Sequence, residues 1–189
     1  KLEGALRATR LDVTGWRCLD VGQSTGGFTD ALLKAGARHV VGIDVGHDQL
    51  HPRLRGQPQV SSLEGINARE LQPLDARLDA GAGFDLVVGD VSFISLTLVL
   101  PAVAGQLKPD GQLLMLVKPQ FELQPGQLGK GGIVKDEALY EQVRSRIWGV
   151  CQDLGLSTLN WLSSAIEGGD GNREFFIHAM RSDEGRDKT

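Results

Sequence analysis

Short, continuously apolar runs alternate with stretches of helical periodicity from one end of the chain to the other. The runs are rich in Val, Leu and Ile and bounded by Gly, Asp or Pro. They predict strands over Arg17–Val21, His39–Asp44, Gln59–Leu63, Phe84–Gly89, Gln112–Val117, Leu156–Leu162 and Glu174–Met180. Apolar residues at helical spacing predict helices over Gly27–Ala35, Leu96–Leu107 and Asp136–Leu154. Leu86-Val87-Val88 and Leu113-Leu114-Met115-Leu116-Val117 are apolar at every position, as parallel strands covered on both faces require. The pattern therefore predicts an α/β fold, a Rossmann-like doubly wound sheet of about seven strands. Only the turn-rich stretch Ser163 to Asn172 joins the final two strands, so these should be antiparallel neighbours at one edge of a mostly parallel sheet.

The composition keeps that picture and narrows it. A length of 189 residues suits one domain spanning 1–189 with a substantial core. No apolar run approaches the ~20 residues that span a bilayer, and the helical pattern of Asp136–Leu154 mixes Val143, Ile147 and Val150 with Arg144 and Arg146, as an amphipathic helix of a soluble protein does. Two cysteines, Cys18 and Cys151, are too few for a disulfide framework and have no metal-ligand spacing, so a reduced, cytoplasmic chain without a metal is expected. A net charge of −4 argues against a domain that clamps long nucleic acid by electrostatics alone. The 25 glycines gather at Gly26-Gly27, Gly129 to Gly132 and Gly168 to Gly171, which marks loops where backbone can approach a ligand.

The first strand ends in Asp20 and Gly22 and turns through Gln23-Ser24-Thr25-Gly26-Gly27 into the helix carrying Phe28. This is a strand–Gly loop–helix unit of a nucleotide-binding sheet. Asp44, roughly 20 residues on and at the end of the second strand, is placed to accept hydrogen bonds from ribose hydroxyls. A dinucleotide site needs G-x-G-x-x-G to close backbone on a pyrophosphate, and here Ser24 replaces the second glycine. A loop flanked by carboxylates instead suits a ligand with an amino acid and a sulfonium, which is S-adenosylmethionine.

Three ionisable residues fall at the same sheet edge. Asp90 and Lys118 end the fourth and fifth strands, and Glu174 begins the antiparallel last one. A lysine held between carboxylates can orient a hydroxyl and take or stabilise its proton. Taken singly, each has a plainer reading: Asp90 as a helix N-cap, Lys118 as a solvated side chain, Glu174 as a surface partner of Arg53 or Arg55. The irregular segment Pro119 to Val134 follows the fifth strand's carboxyl end and reads as a mobile lid or a surface loop, and Phe121 within it as a stacking face for a flipped base or a core residue.

Asp20-Val-Gly-Gln-Ser-Thr-Gly-Gly-Phe-Thr29, Gly42-Ile-Asp-Val-Gly46, Asn67-Ala-Arg69, Asp90-Val-Ser-Phe-Ile-Ser95, Leu116-Val-Lys-Pro-Gln-Phe-Glu122 and Asn172-Arg-Glu-Phe-Phe176 closely resemble the hemolysin-like TlyA family of FtsJ-type methyltransferases, over essentially the whole chain. The resemblance implies S-adenosylmethionine-dependent methylation of ribose 2′-hydroxyls in ribosomal RNA. It implies a catalytic tetrad of Lys1, Asp90, Lys118 and Glu174, the first from the family's Lys-Leu-x-Gly-Ala-Leu stretch. Cofactor contacts follow: Asp20, Gly22, Ser24, Thr25, Gly26, Gly27 and Phe28 around the methionine moiety, Asp44 at the ribose, Asn67 near the adenine and Asp90 near the amine. Family members usually carry an S4-like RNA-binding domain ahead of that lysine, so such a module is expected upstream of Lys1. The competing readings are a nicotinamide-dependent oxidoreductase, a membrane-active hemolysin-like protein, and a catalytically silent module that binds cofactor and RNA.

Overall fold

A computed structural model describes residues 1–169 and 171–182. The rest of the expected 1–189 domain lies outside the described residues. In chain order the elements are α1 (Leu2–Thr9), β1 (Arg17–Val21), α2 (Gly27–Lys34), β2 (His39–Asp44), β3 (Val60–Glu64), β4 (Phe84–Gly89), α3 (Leu96–Ala104), β5 (Leu107–Val117), α4 (Ala138–Asp153), β6 (Leu156–Ser163) and β7 (Phe175–Arg181). Among the described residues the strands form one seven-stranded sheet in the order β3-β2-β1-β4-β5-β7-β6. β1 through β5 pair in parallel, and β7 runs antiparallel to both β5 and β6. This is the doubly wound, mostly parallel sheet with an antiparallel last strand that the apolar pattern predicts.

Alternation along the strands divides the core between the two faces. Leu19, Val21, Val41, Ile43, Val87, Leu113, Met115, Val117, Ile177 and Ala179 face α3 and α4, where they meet Val99, Leu100, Val103, Val143, Ile147 and Cys151. Their neighbours Cys18, Val40, Leu86, Val88, Leu114, Leu116 and Phe176 face α1 and α2, against Leu2, Ala5, Leu6, Ala31 and Leu32. A sheet buried on both sides explains why those strands carry no polar alternation.

Three local differences from expectation have physical causes. Helix α1 is absent from the periodicity reading because its apolar stripe is only Leu2, Ala5 and Leu6; it ends where Arg10 turns left-handed at φ 57°. Helix α3 stops at Ala104 rather than Leu107, because Leu107 already pairs with Phe84. The ladder then shifts register, so that regular pairing resumes at Gln112 with Leu86, where the strand was expected to begin. Within the segment 119–134, Leu128 bridges Val134, and the Asn172 side chain accepts from Val134 N at 3.0 Å and donates to Gly132 O at 2.9 Å, which ties the end of the segment to the loop before β7.

Candidate active site

The parallel strands end together along one edge, and the loops that leave them build the site. Gly22 and Gln23 both donate their backbone N–H to Ile43 O, at 2.9 and 3.0 Å, which folds the loop after β1 over the end of β2. Asp90 N donates to Val21 O at 3.0 Å and brings the β4 loop alongside. At Gly22, with φ +74°, a Cβ would lie 2.6 Å from the Asp90 carbonyl oxygen, so only glycine lets the two loops approach this closely.

Two adjoining cavities of about 520 Å³ each open on this edge and share Gly22, Ser24, Asp90 and Ser92. Lys1, Thr25, Gly27, Phe28 and Lys118 line the first. Asp44, Asn67 and Phe93 line the second, together with the apolar side chains of Ile43, Ile66 and Val99. The first holds both lysines. No Lys or Arg is among the described residues lining the second.

The cationic side chains are fixed by carboxylates. Lys118 Nζ lies 2.5 Å from Asp90 Oδ1 and donates to Ser92 Oγ at 2.8 Å, with its side chain 13% exposed. Lys1 Nζ donates to Glu174 Oε1 at 2.6 Å. Glu174 is buried and does not line the cavity; it reaches it through Lys1. The plainer readings of these residues fail: Arg53 pairs with Asp30, Arg55 with Asp48, and the N-cap of α3 is Ser95.

Asp44 accepts from Ser24 N at 2.7 Å and from Gly46 N at 2.8 Å, which holds its carboxylate at the rim of the second cavity. Asn67 accepts from Arg69 N and caps a short 3₁₀ turn there. Two expected cofactor residues sit elsewhere. Gly26 is buried, and a Cβ there would run into Leu50 and Leu54, so it packs the loop rather than lining either cavity. Asp20 lies beneath the loop, buried, and accepts from Thr29 Oγ1 at 2.8 Å. Burial pushes the Asp20 carboxyl up to about 7, partly offset by that hydrogen bond, with the Asp90 carboxylate raising it further. Thr29 in turn accepts from Gln23 Nε2 at 2.9 Å, and Gln23 Oε1 accepts from Ser62 Oγ at 2.8 Å.

Ser92, Phe93, Gln23 and Glu122 also shape this edge; all four stand inside the family motifs, where nothing in the sequence sets them apart. Phe93 is 89% exposed at φ 62°, and its ring sits 5.1 Å from that of Phe121. A large aromatic held out to solvent in the left-handed region costs energy that core packing does not repay.

The FtsJ-like methyltransferase model matches residues 1–181. The chain belongs to the FtsJ-like methyltransferase family. Among relatives of this chain, the 16S/23S rRNA (cytidine-2'-O)-methyltransferase TlyA of Mycobacterium tuberculosis is 47% identical over 177 residues, covering 94% of this chain and 65% of that protein. Hemolysin A of Brachyspira hyodysenteriae is 39% identical, covering 94% of this chain and 73% of the relative. The chain thus spans about two thirds of the length of such relatives. A solved protein from Streptococcus thermophilus described as a hemolysin superposes with a TM-score of 0.90 at 42% identity, over 97% of this chain and 65% of that one. An S-adenosylmethionine dependent methyltransferase from Mesorhizobium loti, 14% identical, shares the fold alone at a TM-score of 0.69, over 94% of this chain and 96% of that one. Among the described residues no helix is long and apolar enough to cross a membrane.

Proposed function

We propose that this domain binds S-adenosylmethionine across the two cavities and directs its methyl group to a ribose 2′-hydroxyl of ribosomal RNA, cytidine being the nucleoside that the name of the mycobacterial relative suggests. The observation that carries the reading is the pairing of Lys118 with Asp90 at the junction of the cavities, with Lys1 held on the same cavity by Glu174.

The residues present fit the cofactor. The second cavity combines apolar walls, suited to an adenine, with the Asp44 carboxylate for a ribose and no cation for a pyrophosphate. Each Asp44 oxygen accepts one backbone N–H and keeps a lone pair free for a hydroxyl. In the first cavity, the loop residues Gly22, Ser24, Thr25, Gly27 and Phe28 would surround the methionine moiety, and Asp90 would meet its amine. Asp20 and Gly26 support this loop from behind. When bound, the cofactor supplies an electrophilic methyl group on a sulfonium.

The protein's own task is then to present a nucleophilic oxygen in line. Positioning of this kind is worth ~7–11 kcal/mol of barrier. Lys118, fixed by Asp90 and Ser92, orients the 2′-hydroxyl and takes or stabilises its proton, a contribution of ~10²–10⁴-fold. Lys1, fixed by Glu174 and lining the same cavity, helps to set the ribose. The exposed Phe93, backed by Phe121, offers a stacking face for a base turned out of its helix. The test is incubation of full-length protein and labelled S-adenosylmethionine with unmodified ribosomal subunits, followed by mapping of the label. A 2′-O-methylated ribose is expected; a label on a base, or none, contradicts the reading.

A further inference from the structure

The loop after β4 carries Asp90, Ser92 and Phe93, and the loop after β5 carries Lys118 and Phe121. Their strands are parallel neighbours, but the ladder joining them ends at Gly89 and Met115, before either loop begins. Beyond it, Lys118 pairs with Asp90 and Ser92, Phe121 packs on Phe93, and Glu122 reaches the far end of the β4 loop. In the last of these contacts the bond from Leu96 N is buried and that from Ser95 Oγ part-buried.

Glu122 is 6% exposed, and both of its carboxylate oxygens are used. Oε2 accepts from Ser95 Oγ at 2.6 Å and Oε1 from Leu96 N at 2.7 Å. Its own carbonyl accepts from Arg146 Nη1 of α4 at 3.0 Å, so the residue is held from behind as well. Ser95, the N-cap of α3, is three residues beyond Ser92 and five beyond Asp90. A carboxylate at the start of this nine-residue helix is favoured by the free N–H groups there, and short charge-assisted bonds of this kind are stiff. Burial pushes the Glu122 carboxyl up and the bonds from Ser95 and Leu96 hold it down, so the contact depends on both donors staying in place.

We infer that Glu122 is a positioning residue of the transfer reaction: it staples the β5 loop to the β4 loop and so fixes Ser92 and Asp90 against Lys118. It lines neither cavity, and its effect on chemistry runs through those three side chains. The inference rests on the proposed methyl transfer for its kinetic part but not for its structural part.

The test uses full-length protein and three variants. Amide hydrogen exchange comes first, because it needs no activity: Glu122→Ala should raise exchange across residues 90–96 and leave β1, β2 and the Asp44 region unchanged. Glu122→Gln should restore most of the protection, since its carbonyl can accept from Leu96 N–H while its amide donates to Ser95 Oγ. In single-turnover methyl transfer, Glu122→Ala should then slow the step at saturating cofactor and RNA by about 30-fold or more, with S-adenosylmethionine Kd and RNA KM within about threefold. Glu122→Gln should recover turnover to within about threefold of wild type. Should Glu122→Ala not fold, Ser95→Ala, which removes one of the two bonds, should slow transfer about three- to tenfold at unchanged Kd. Unchanged exchange in 90–96, unchanged turnover in a folded Glu122→Ala or Ser95→Ala protein, a parallel loss of cofactor affinity, or a Glu122→Gln protein as slow as the alanine variant would each overturn the inference. A wild-type protein that methylates no ribose would instead sink the proposed function, with the exchange result still deciding the staple.

Discussion

Gly42→Ala should disable the cofactor loop through a residue that the ligand never touches. Gly42 is buried in the middle of β2, and a methyl group there would come within 2.0–2.2 Å of the Gln23 carboxamide. Gln23 cannot step aside cheaply, since it donates to Thr29 Oγ1 at 2.9 Å and accepts from Ser62 Oγ at 2.8 Å while 4% exposed. Displacement forfeits two hydrogen bonds at ~0.5–1.5 kcal/mol each and leaves a buried polar group to re-pair at ~1–3 kcal/mol, for a loss of about 2–6 kcal/mol. In a domain of this size that lowers Tm by roughly 5–25 °C. Because Gln23 N and Gly22 N anchor the loop to Ile43 O, S-adenosylmethionine affinity measured by calorimetry should fall about tenfold or more. The decisive assay is a double-mutant cycle in urea: Gln23→Ala vacates the space, so the double variant should be more stable than the sum of the two single losses predicts. A Gly42→Ala loss under about 1 kcal/mol, or strict additivity in the cycle, would refute the reasoning.

Three further outcomes are expected. Asp44→Ala should weaken S-adenosylmethionine binding by about 1.5–3 kcal/mol in calorimetry through loss of charge-assisted bonds to the ribose; unchanged Kd would remove Asp44 from the site. Asp20, with its carboxyl raised to about 7 against an ordinary 3.8, contributes stability that is present below about pH 4 and lost as pH rises through 7. The urea midpoint of Asp20→Asn relative to wild type should therefore climb between pH 4 and 7 and level off above; a flat or falling difference contradicts the buried, proton-holding Asp20. Glu174→Gln leaves Lys1 without its charged partner and should lower kcat far more than it changes cofactor Kd, whereas an equal effect on both would mean that Glu174 supports the cofactor loop.

Much of this was legible in the sequence, for identifiable reasons. Leu86–Val88 and Leu113–Val117 are apolar at every position because helices cover both faces of the sheet, and that constraint writes the strands and their parallel order directly into the chain. The ends of those strands then located Asp90, Lys118 and Asp44. What the pattern could not show was which side chain turns toward which. The antiparallel return of β7 beside β5, which the pattern does predict, brings Glu174 back to the edge, but nothing in the pattern turns its carboxylate toward Lys1, 173 residues away. The acidic residue of the first motif read as a ligand contact, yet Asp20 lies under the loop; alternation places its side chain, but the depth of burial depends on Gln23 and Thr29 closing over it. Glu122 looked like the tail of a motif whose lysine mattered, because a staple to Ser95 is a property of two loops and not of either one.

Methyl transfer at this site depends most directly on Lys118. Full-length wild type, Lys118→Ala and Lys118→Arg should be compared in single-turnover transfer of labelled methyl to unmodified ribosomal RNA, with S-adenosylmethionine affinity measured alongside. Alanine should abolish transfer while Kd stays within a few-fold, and arginine should be nearly inactive as well, because a guanidinium keeps the charge but holds its proton near neutral pH. Recovery of most activity by arginine would make Lys118 an electrostatic guide rather than a base. Wild-type turnover in Lys118→Ala would contradict the assignment of this site to ribose methylation.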